Sequence, residues 1–432
     1  MTNANFLWQA TKAERQDRFD EAVNLYKQAI AADPSHVEAY LRLGELLDRS
    51  GYAFAALDAY QRALALKPDD VRLLNRATRS ALTCLDLDAA GEMLQRMLAL
   101  RPHHPDGLML AGELSELQGK LDQAEARYRP LAAAPTRHHG AVQGLERLHR
   151  VKITLAETAE RYRAALADDA PSAGSPEQTH FVTFGTASYR ERQDFVARTA
   201  VAFAAVDRVV NWAADRLAAL PEAVQHRAIL GERTGAGFFL WKPMIILDRL
   251  SRVRDGDWVV YSDVGSAIPY PIYHRLDALK AWAVAANGGI FPGIYIPDCG
   301  PNRRWTKRDC FVRMGCDRAE FWDHAQIQAS FSLWRKSPAA LDFVREWLDF
   351  CADRAVVSDD ANLCGLPNLE GFVAHRHDQS VITNLARLRG IVAFGDPERP
   401  LACHQSLKRI DFVAANFDAL ARKPASRPAE RS

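Results

Sequence analysis

DWVVYSDVGS, residues Asp257 to Ser266, decides the fold class of the second half of the chain. Val and aromatic residues at the density of Trp258 to Tyr261 favour a strand, and Gly265 with Ser266 ends it. A short, wholly apolar strand belongs in the interior of a parallel α/β sheet. Ligands of such sheets bind in the crevice at the carboxyl ends of the strands. Asp263 stands at that end. Its carboxylate faces a metal or a ribose hydroxyl there, or else it is a turn residue capping the next segment.

Elements of the same class flank this strand. HFVTFG (His180–Gly185) reads as a short strand ending at a glycine, followed by a helical stretch from Tyr189 to Ala205. DRVVNW (Asp207–Trp212) is a second strand. Helical segments are expected at Asp215–Leu220 and from about Lys242 to Val253. Beyond the central strand come an apolar stretch at Gly289–Ile296 and a strand at Gln328–Arg335. A helix at Pro338–Cys351 directs Leu341, Val344, Leu348 and Phe350 to the core. The helix Gln379–Leu388 and a strand at Gly390–Phe394 complete the pattern.

The first 170 residues read differently. Ala22, Ala56, Ala90 and Ala124 recur 34 residues apart, and Thr158 takes the next step. Pro34, Pro68 and Pro102 keep the same step. Tyr26, Tyr60, Tyr128 and Tyr162 follow four residues after the small position, with Leu94 in that place in the third repeat. Gly44 and Gly112 sit in matching first helices. A period of this length resembles the tetratricopeptide repeat, from Asn3 to about Ala170, nearly five repeats. The fourth proline comes one place early, at Pro135, and the fifth repeat is the least regular. The resemblance implies a curved solenoid whose concave surface docks a protein or peptide, or serves as a spacer or dimerisation element.

DDAPSAGSPE (Asp168–Glu177) is rich in Pro, Ser, Gly and acid and reads as a linker. The expected organisation is a helical solenoid at 1–167, a linker at 168–178, an α/β domain at 179–415 and a tail at 416–432. A net charge of +1 makes no case for nucleic acid or an anionic membrane as partner. No basic-then-apolar signal pattern opens the chain. The longest uncharged stretch, Ala281–Pro297, is broken by Asn287, Gly288, Gly289 and Pro292, which argues against a transmembrane segment. Seven cysteines without a Cys-x-x-Cys pair suggest reduced thiols, a cytoplasmic setting and no structural zinc.

Together HFVTFG, GAGFFLWKPMIILDRL, DGDWVVYSDVGS, QASFSLWRKSP and HRHDQSVITNLA resemble a bacterial glycosyltransferase domain of the GT-A fold. The resemblance covers about His180 to Lys408. It implies a nucleotide-diphosphate sugar donor, a hydroxyl acceptor (glycan, lipid-linked or protein) and Mn²⁺ or Mg²⁺ on the diphosphate. Such enzymes carry an Asp-x-Asp after a buried strand, because hard cations select carboxylate oxygens. Here the motif is Asp263-Val264-Gly265, and Gly265 stands where the second carboxylate belongs. The resemblance offers His404 as the substitute metal ligand beside Asp263, and Lys408 as a neutraliser of the diphosphate. The residues expected at the donor are Phe184, Lys242, Asp263, Gly265, Gln328 and Lys408.

Asp378 and Gln379, at the start of a helix, would face the donor sugar. Asp378 would steady developing oxocarbenium charge by analogy with glycosidase carboxylates, or act only as a helix cap. Gly235-Ala236-Gly237 permits close backbone approach to a ligand, and Lys242 stands at a helix start that favours anions. Trp241 reads as core. The basic run Asn302–Arg308 is a solvated loop or a lid, and Gln326 with Gln328 could bond sugar hydroxyls. Retention or inversion stays open. The rival readings are a non-catalytic scaffold built on a degenerate transferase domain, and another nucleotide-donor transferase such as a sulfotransferase. The absence of a Gly-x4-Gly-Lys-Ser/Thr loop weighs against the second.

Overall fold

A computed structural model describes residues 3–50, 53–83, 86–135, 138–166, 176–264 and 275–395. The chain divides into two compact units between Arg150 and Val151.

In the first unit, helices pack in consecutive pairs: α1 (Asn3–Arg15) with α2 (Phe19–Ala32), α3 (Val37–Arg49) with α4 (Ala53–Leu66), α5 (Val71–Thr83) with α6 (Leu87–Leu100), and α7 (Pro105–Leu117) with α8 (Leu121–Ala133). α9 (His139–Glu157) follows, and the division between the units falls within it. The periodic positions carry the packing. Ala22, Ala56, Ala90 and Ala124 are fully buried, and so are Tyr26, Tyr60 and Tyr128. The glycines of the first helices are small for a steric reason. A Cβ on Gly44 would lie 2.4 Å from the Tyr60 ring, and one on Gly112 2.2 Å from the Tyr128 ring.

Each tyrosine hydroxyl then finds a carboxylate twelve residues upstream. Tyr26 donates to Glu14 at 2.8 Å, Tyr60 to Asp48 at 3.0 Å and Tyr128 to Glu116 at 3.2 Å. In the repeat that has Leu94 for tyrosine, the upstream place holds Leu82, and both are buried. The helix starts share the period too. His36, Asp70 and His104 accept from backbone N–H groups of the first turns, which satisfies donors that the helix cannot.

The period ends before the linker does. α10 (Ala159–Ala165) belongs to the second unit, although the sequence pattern assigns it to the solenoid. Position 150 is arginine, so Tyr162 has no upstream acid. Its hydroxyl donates instead to Asp194 at 2.7 Å, on α11 (Arg190–Phe203). Tyr162 and Ala165 join the cluster of Phe181, Val196, Ala200, Val209 and Trp258.

The second unit is built on a five-stranded sheet ordered β2-β1-β3-β7-β4, with a separate pair β5-β6. The strands are β1 (Thr179–Phe184), β2 (Arg208–Trp212), β3 (Trp258–Ser262), β4 (Ile290–Phe291), β5 (Ile294–Pro301), β6 (Ala325–Gln328) and β7 (Phe331–Arg335). β1 runs parallel to β2 and β3, whereas β7 is antiparallel to β3 and β4. The central strand is therefore interior as expected, but in a mixed sheet. α11 and the helix Asp277–Asn287 cover one face, with Trp282 and Phe291 in the core. The helices Trp241–Arg252, Pro338–Ala352 and Asp378–Leu388 cover the other, around Trp334 and Trp347.

Two expected strands differ. Gln328–Arg335 is not continuous: β6 pairs with β5 and β7 with β3 and β4, and the chain changes sheets at Ala329 and Ser330. Gly390–Phe394 forms no strand; Phe394 alone bridges to Ile294. Both segments are apolar enough to be strands, but sheet membership is set by partners far away in sequence, which a local pattern cannot show.

Candidate active site

The carboxyl end of β3 meets two helix starts. Lys242 begins one, Asp378 the other, and Asp263 leaves β3 between them. The Lys242 ammonium lies 2.8 Å from Asp378 Oδ2 and 3.6 Å from Asp263 Oδ2, and donates to the Ala329 carbonyl at 3.2 Å. Its charge also stands over the rings of Phe239 and Tyr261, at 5.2 and 5.5 Å. Lys242 and Asp378 are buried, with side chains 3% and 4% exposed, while Asp263 is 20% exposed. Asp263 is pinned from both ends: its N–H donates to Ser330 O at 2.8 Å, and the Tyr261 hydroxyl donates to its carboxylate.

Electrostatics follow from this burial. Burial pulls the Lys242 ammonium down, but Asp263 and Asp378 outweigh it and hold its pKa above the ordinary lysine value. Burial pushes Asp378 above the carboxylate range against the opposing pull of Lys242. Burial, then Asp263, drives the Tyr261 phenol well above its usual value, so it remains a donor. The cluster holds two acids and one ammonium, and Asp263 is its least buried member. Asp378 Oδ2, buried, is held by the Lys242 ammonium.

Strained backbone delivers both buried partners. Gly235, Ala236, Gly237, Phe238 and Phe239 have φ of 56°, 51°, 98°, 52° and 63°, one left-handed turn in which three residues are not glycine. Each such residue costs roughly 1–2 kcal/mol. The glycines are required by space as well, since a Cβ on Gly237 would sit 2.6 Å from Leu230 Cα. Trp241 Nε1 donates back to Gly235 O at 2.9 Å and ties the turn to the helix that carries Lys242. On the other side, His377 has φ 49° and ψ −122° immediately before Asp378. The two strained segments touch: the Phe238 and His377 rings are 5.1 Å apart. His377 Nδ1 lies 2.8 Å from the Val357 carbonyl. Strain of this kind persists only where surrounding structure enforces it, and it collects at functional sites.

Several expected site residues are placed otherwise. Phe184 does not face a ligand; it is buried and stacked on Trp241 at 4.4 Å. Trp241 is core, as its sequence setting suggests. Lys242 is enclosed by protein groups, so it acts on the carboxylates rather than on a ligand directly. Asp378 is the first helical residue, not the cap, and its carboxylate belongs to Lys242. Gln379 donates to Gln326 Oε1 at 2.8 Å. Gln326 is buried and bonded to protein, which removes it from direct sugar contact; Gln328 ends β6, partly exposed.

The basic run is mixed: Arg304 is exposed and Arg303 partly exposed, but its remaining polar members turn inward. Asn302, Thr306 and Lys307 are buried; Lys307 Nζ donates to Asp360 O at 2.8 Å, and its N–H donates to His375 Nδ1 at 3.2 Å. Gly265, His404 and Lys408 lie outside the described residues. Sequence reading missed Tyr261 and the strain at His377. Alternation along β3 would have put Tyr261 and Asp263 on one face, which was the available signal.

A hard divalent cation takes carboxylate oxygens, and Mg²⁺ commonly takes one or two from protein, the rest from phosphate and water. Asp263, partly exposed at the end of β3, could supply one such oxygen. Among the described residues no group of three or more His, Cys, Asp or Glu is arranged to hold a metal. No helix among them is long and apolar enough to cross a membrane.

Comparison with known proteins bears on the first unit. Residues 9–71 match the tetratricopeptide repeat model. Protein O-mannosyl-transferase TMTC3 of Homo sapiens is 31% identical over 122 residues, 27% of this chain and 13% of that protein. The matched stretch is thus a small part of that relative. Among solved structures, MamA is similar at 20% identity over 38% of this chain and 96% of its own, with a TM-score of 0.33. A thermophilic TPR protein in Thermus thermophilus is similar at 19% identity over 38% of this chain and 89% of its own, with a TM-score of 0.29. The chain carries tetratricopeptide repeats, as its periodic alanines, tyrosines and prolines indicate.

Proposed function

We propose that the second unit is a GT-A-type glycosyltransferase that moves a sugar from a nucleotide-diphosphate donor to a hydroxyl acceptor. The observation that carries this reading is the Asp263–Lys242–Asp378 cluster at the carboxyl end of β3, held by strained backbone on two sides. Asp263 is the outermost member and meets the donor. Lys242 fixes the separation of the two carboxylates and keeps both from repelling each other. Asp378, buried against Lys242, bears on a developing oxocarbenium centre only as part of that ion pair. Mn²⁺ or Mg²⁺, when bound at Asp263, would neutralise charge on the departing diphosphate.

The repeat unit is proposed to dock a protein or peptide, which would be the acceptor or a partner. A groove of about 850 Å³ lined by Arg72, Arg76, Arg79, Arg101, His104 and Asp106 is a surface it could use.

The test of the enzyme reading is a nucleotide-sugar panel followed by thermal shift, with and without Mn²⁺, and by donor turnover. Asp263→Asn is expected to lower turnover about 10²–10³-fold while the melting temperature stays near wild type. Wild-type turnover in a folded Asp263→Asn protein, or a panel in which no nucleotide sugar binds, would defeat it.

A further inference from the structure

Beside the charged cluster lies a buried network of neutral side chains with only one consistent polarity. It begins at a backbone carbonyl, which can only accept. Asn302 Nδ2 donates to Phe321 O at 3.0 Å and to Asn384 Oδ1 at 2.8 Å. Asn302 Oδ1 is therefore the accepting pole, and it receives the Thr306 hydroxyl at 2.6 Å and Gln326 Nε2 at 3.1 Å. A second fixed acceptor agrees: Gln326 Nε2 also lies 3.4 Å from the Trp305 carbonyl.

The hydroxyls are consistent with this polarity. Thr306 has spent its proton on Asn302, and Ser380 donates its own to Trp305 O at 2.7 Å. Both oxygens are left to accept: Ser380 Oγ from the Arg376 N–H at 3.3 Å and from Gln326 Nε2 at 3.1 Å, and Thr306 Oγ1 from Gln326 Nε2 at 3.2 Å, the two amide protons being shared among their acceptors. A flipped Gln326 amide would set its oxygen against two fixed acceptors, Asn302 Oδ1 and the Trp305 carbonyl. The orientation of an amide is inferred from its partners, and here all partners agree. Gln326 Oε1 is thus an acceptor, and Gln379 Nε2 must be what donates to it, at 2.8 Å. Asn302, Thr306, Gln326 and Ser380 are all buried, whereas Gln379 is partly exposed, next to Asp378.

We infer that Asn302 and Gln326 are positioning residues that orient the Gln379 amide, leaving its carbonyl oxygen as the pole offered to the ligand. Gln379 then reads a hydrogen-bond donor, a hydroxyl of the donor sugar, and disfavours an acceptor in that place. This inference rests on the glycosyl-transfer reading. It gives Gln326 an indirect role, where the sequence alone suggested direct contact. It also explains why a run of amides and hydroxyls, and not apolar side chains, fills the space between β6, the 302–306 segment and the Asp378 helix. A fully satisfied polar network fixes one geometry.

The experiment uses the full chain. The nucleotide sugar with the largest thermal shift in the panel is compared with its deoxyfluoro analogues, in each of which fluorine replaces one hydroxyl and cannot donate. One analogue is expected to bind wild type about three- to tenfold more weakly than the parent sugar, the worth of one hydrogen bond. Gln379→Leu should abolish that difference. Gln326→Leu should reduce it, and should add nothing in a protein that already carries Gln379→Leu. If Gln326→Leu does not fold, Ser380→Ala, which removes one of the acceptors that orient Gln326, should show a smaller reduction. A purely structural role would weaken parent and analogue alike and leave their ratio unchanged. Equal discrimination by wild type and Gln379→Leu overturns the assignment of the reader. Undiminished discrimination in folded Gln326→Leu or Ser380→Ala overturns the relay. No shift with any nucleotide sugar ends the transferase reading and this inference with it.

Discussion

In the helical unit a buried tyrosine reaches its carboxylate twelve residues upstream, and the same arrangement recurs at Tyr26, Tyr60 and Tyr128. In the α/β unit Lys242 reaches the Ala329 carbonyl across 87 residues, and Gln379 reaches Gln326 across 53. Both units bury polar groups and satisfy most of them. One does so through contacts of fixed short separation, so the same residue types return in register. The other does so once, through contacts whose separation has no rule. A repeat is stabilised by its neighbours, and a mixed sheet by partners gathered from its whole length. The two should therefore fail differently when a polar group loses its partner.

The sharpest test lies in the helical unit, where a buried ion pair stands out from the repeat. Arg147 donates to Glu116 through Nε and Nη2, at 2.6 and 2.8 Å, with side chains 9% and 2% exposed. Burial pulls this guanidinium down, yet Glu116 holds it above the ordinary arginine value. Glu116→Ala leaves the charge and the Tyr128 hydroxyl without their acceptor and should cost about 3–5 kcal/mol. Replacing both partners together, Glu116→Leu with Arg147→Met, should recover most of that loss. Urea unfolding followed by helix content measures both. A loss below about 1 kcal/mol in the single variant would mean that water reaches the pair and that the repeat tolerates what the comparison says it cannot.

The α/β unit should answer to acid instead. His180, fully buried on β1, lies with Nδ1 2.8 Å from the Arg249 guanidinium, and Nε2 3.8 Å from Asp257. Burial, then Arg249, lowers its pKa to about 4. The unfolded chain takes up this proton below its ordinary value of 6.5, and the folded chain resists until about 4. Between these values the unfolded state binds more protons, so stability rises with pH and falls as pH drops from 6.5 to 4. The full loss is about 3 kcal/mol. His180→Gln should flatten that slope in a pH series of denaturant midpoints read by tryptophan fluorescence. The same slope in the variant would assign the acid sensitivity to other groups.

A third experiment locates the border between the two kinds of order. Tyr162 and Ala165 keep the period of the repeat but pack in the core of the α/β unit. A fragment beginning at Val151 should be more stable than one beginning at Gln178 by about 2–3 kcal/mol, the worth of burying the tyrosine side chain. Equal stability would return α10 to the solenoid, where its sequence register places it.

These cases show how far the sequence could be read. The alanines and tyrosines of the solenoid were legible because each makes the same contact in successive repeats; the acid at −12 was legible in principle by the same rule. The end of the array was not, because Tyr162 keeps its register while Arg150 has replaced the acid, and only Asp194 shows where the hydroxyl goes. In the α/β unit β1, β2, β3 and the main helices follow from local apolar pattern. The change of sheets at Ala329 does not. Asp263, Asp378 and Lys242 each stood out singly, by strand end and helix start. Their meeting in one cluster needed the fold, because no spacing links them. Phe184 looked like a site residue because it ends a strand at the ligand edge. Its partner Trp241, which covers it, comes from a segment far along the chain.

The smallest effect is the most direct comparison, because one substitution should change sign between the two units. Ala90 lies in the right-handed helix α6, fully buried against its neighbours. Glycine there frees the unfolded chain and removes a packed methyl, so Ala90→Gly should destabilise by about 1 kcal/mol or somewhat more. Ala236 has φ 51° and ψ 52°, the left-handed region, inside the turn that delivers Lys242. Its Cβ is the source of strain worth roughly 1–2 kcal/mol, and glycine removes it. The freer unfolded chain returns about 0.4–1 kcal/mol of that gain. Ala236→Gly should therefore stabilise, by about 0.5–1 kcal/mol. If the strain also holds Lys242 against Asp378 and Asp263, relaxing the turn should lower donor turnover while the melting temperature rises. Denaturant midpoints for both variants, with turnover for Ala236→Gly, decide the matter. Destabilisation by Ala236→Gly would mean that the methyl contributes more by packing than it costs by conformation. Stabilisation with unchanged turnover would mean that the left-handed turn is a strained connection that the lysine does not need.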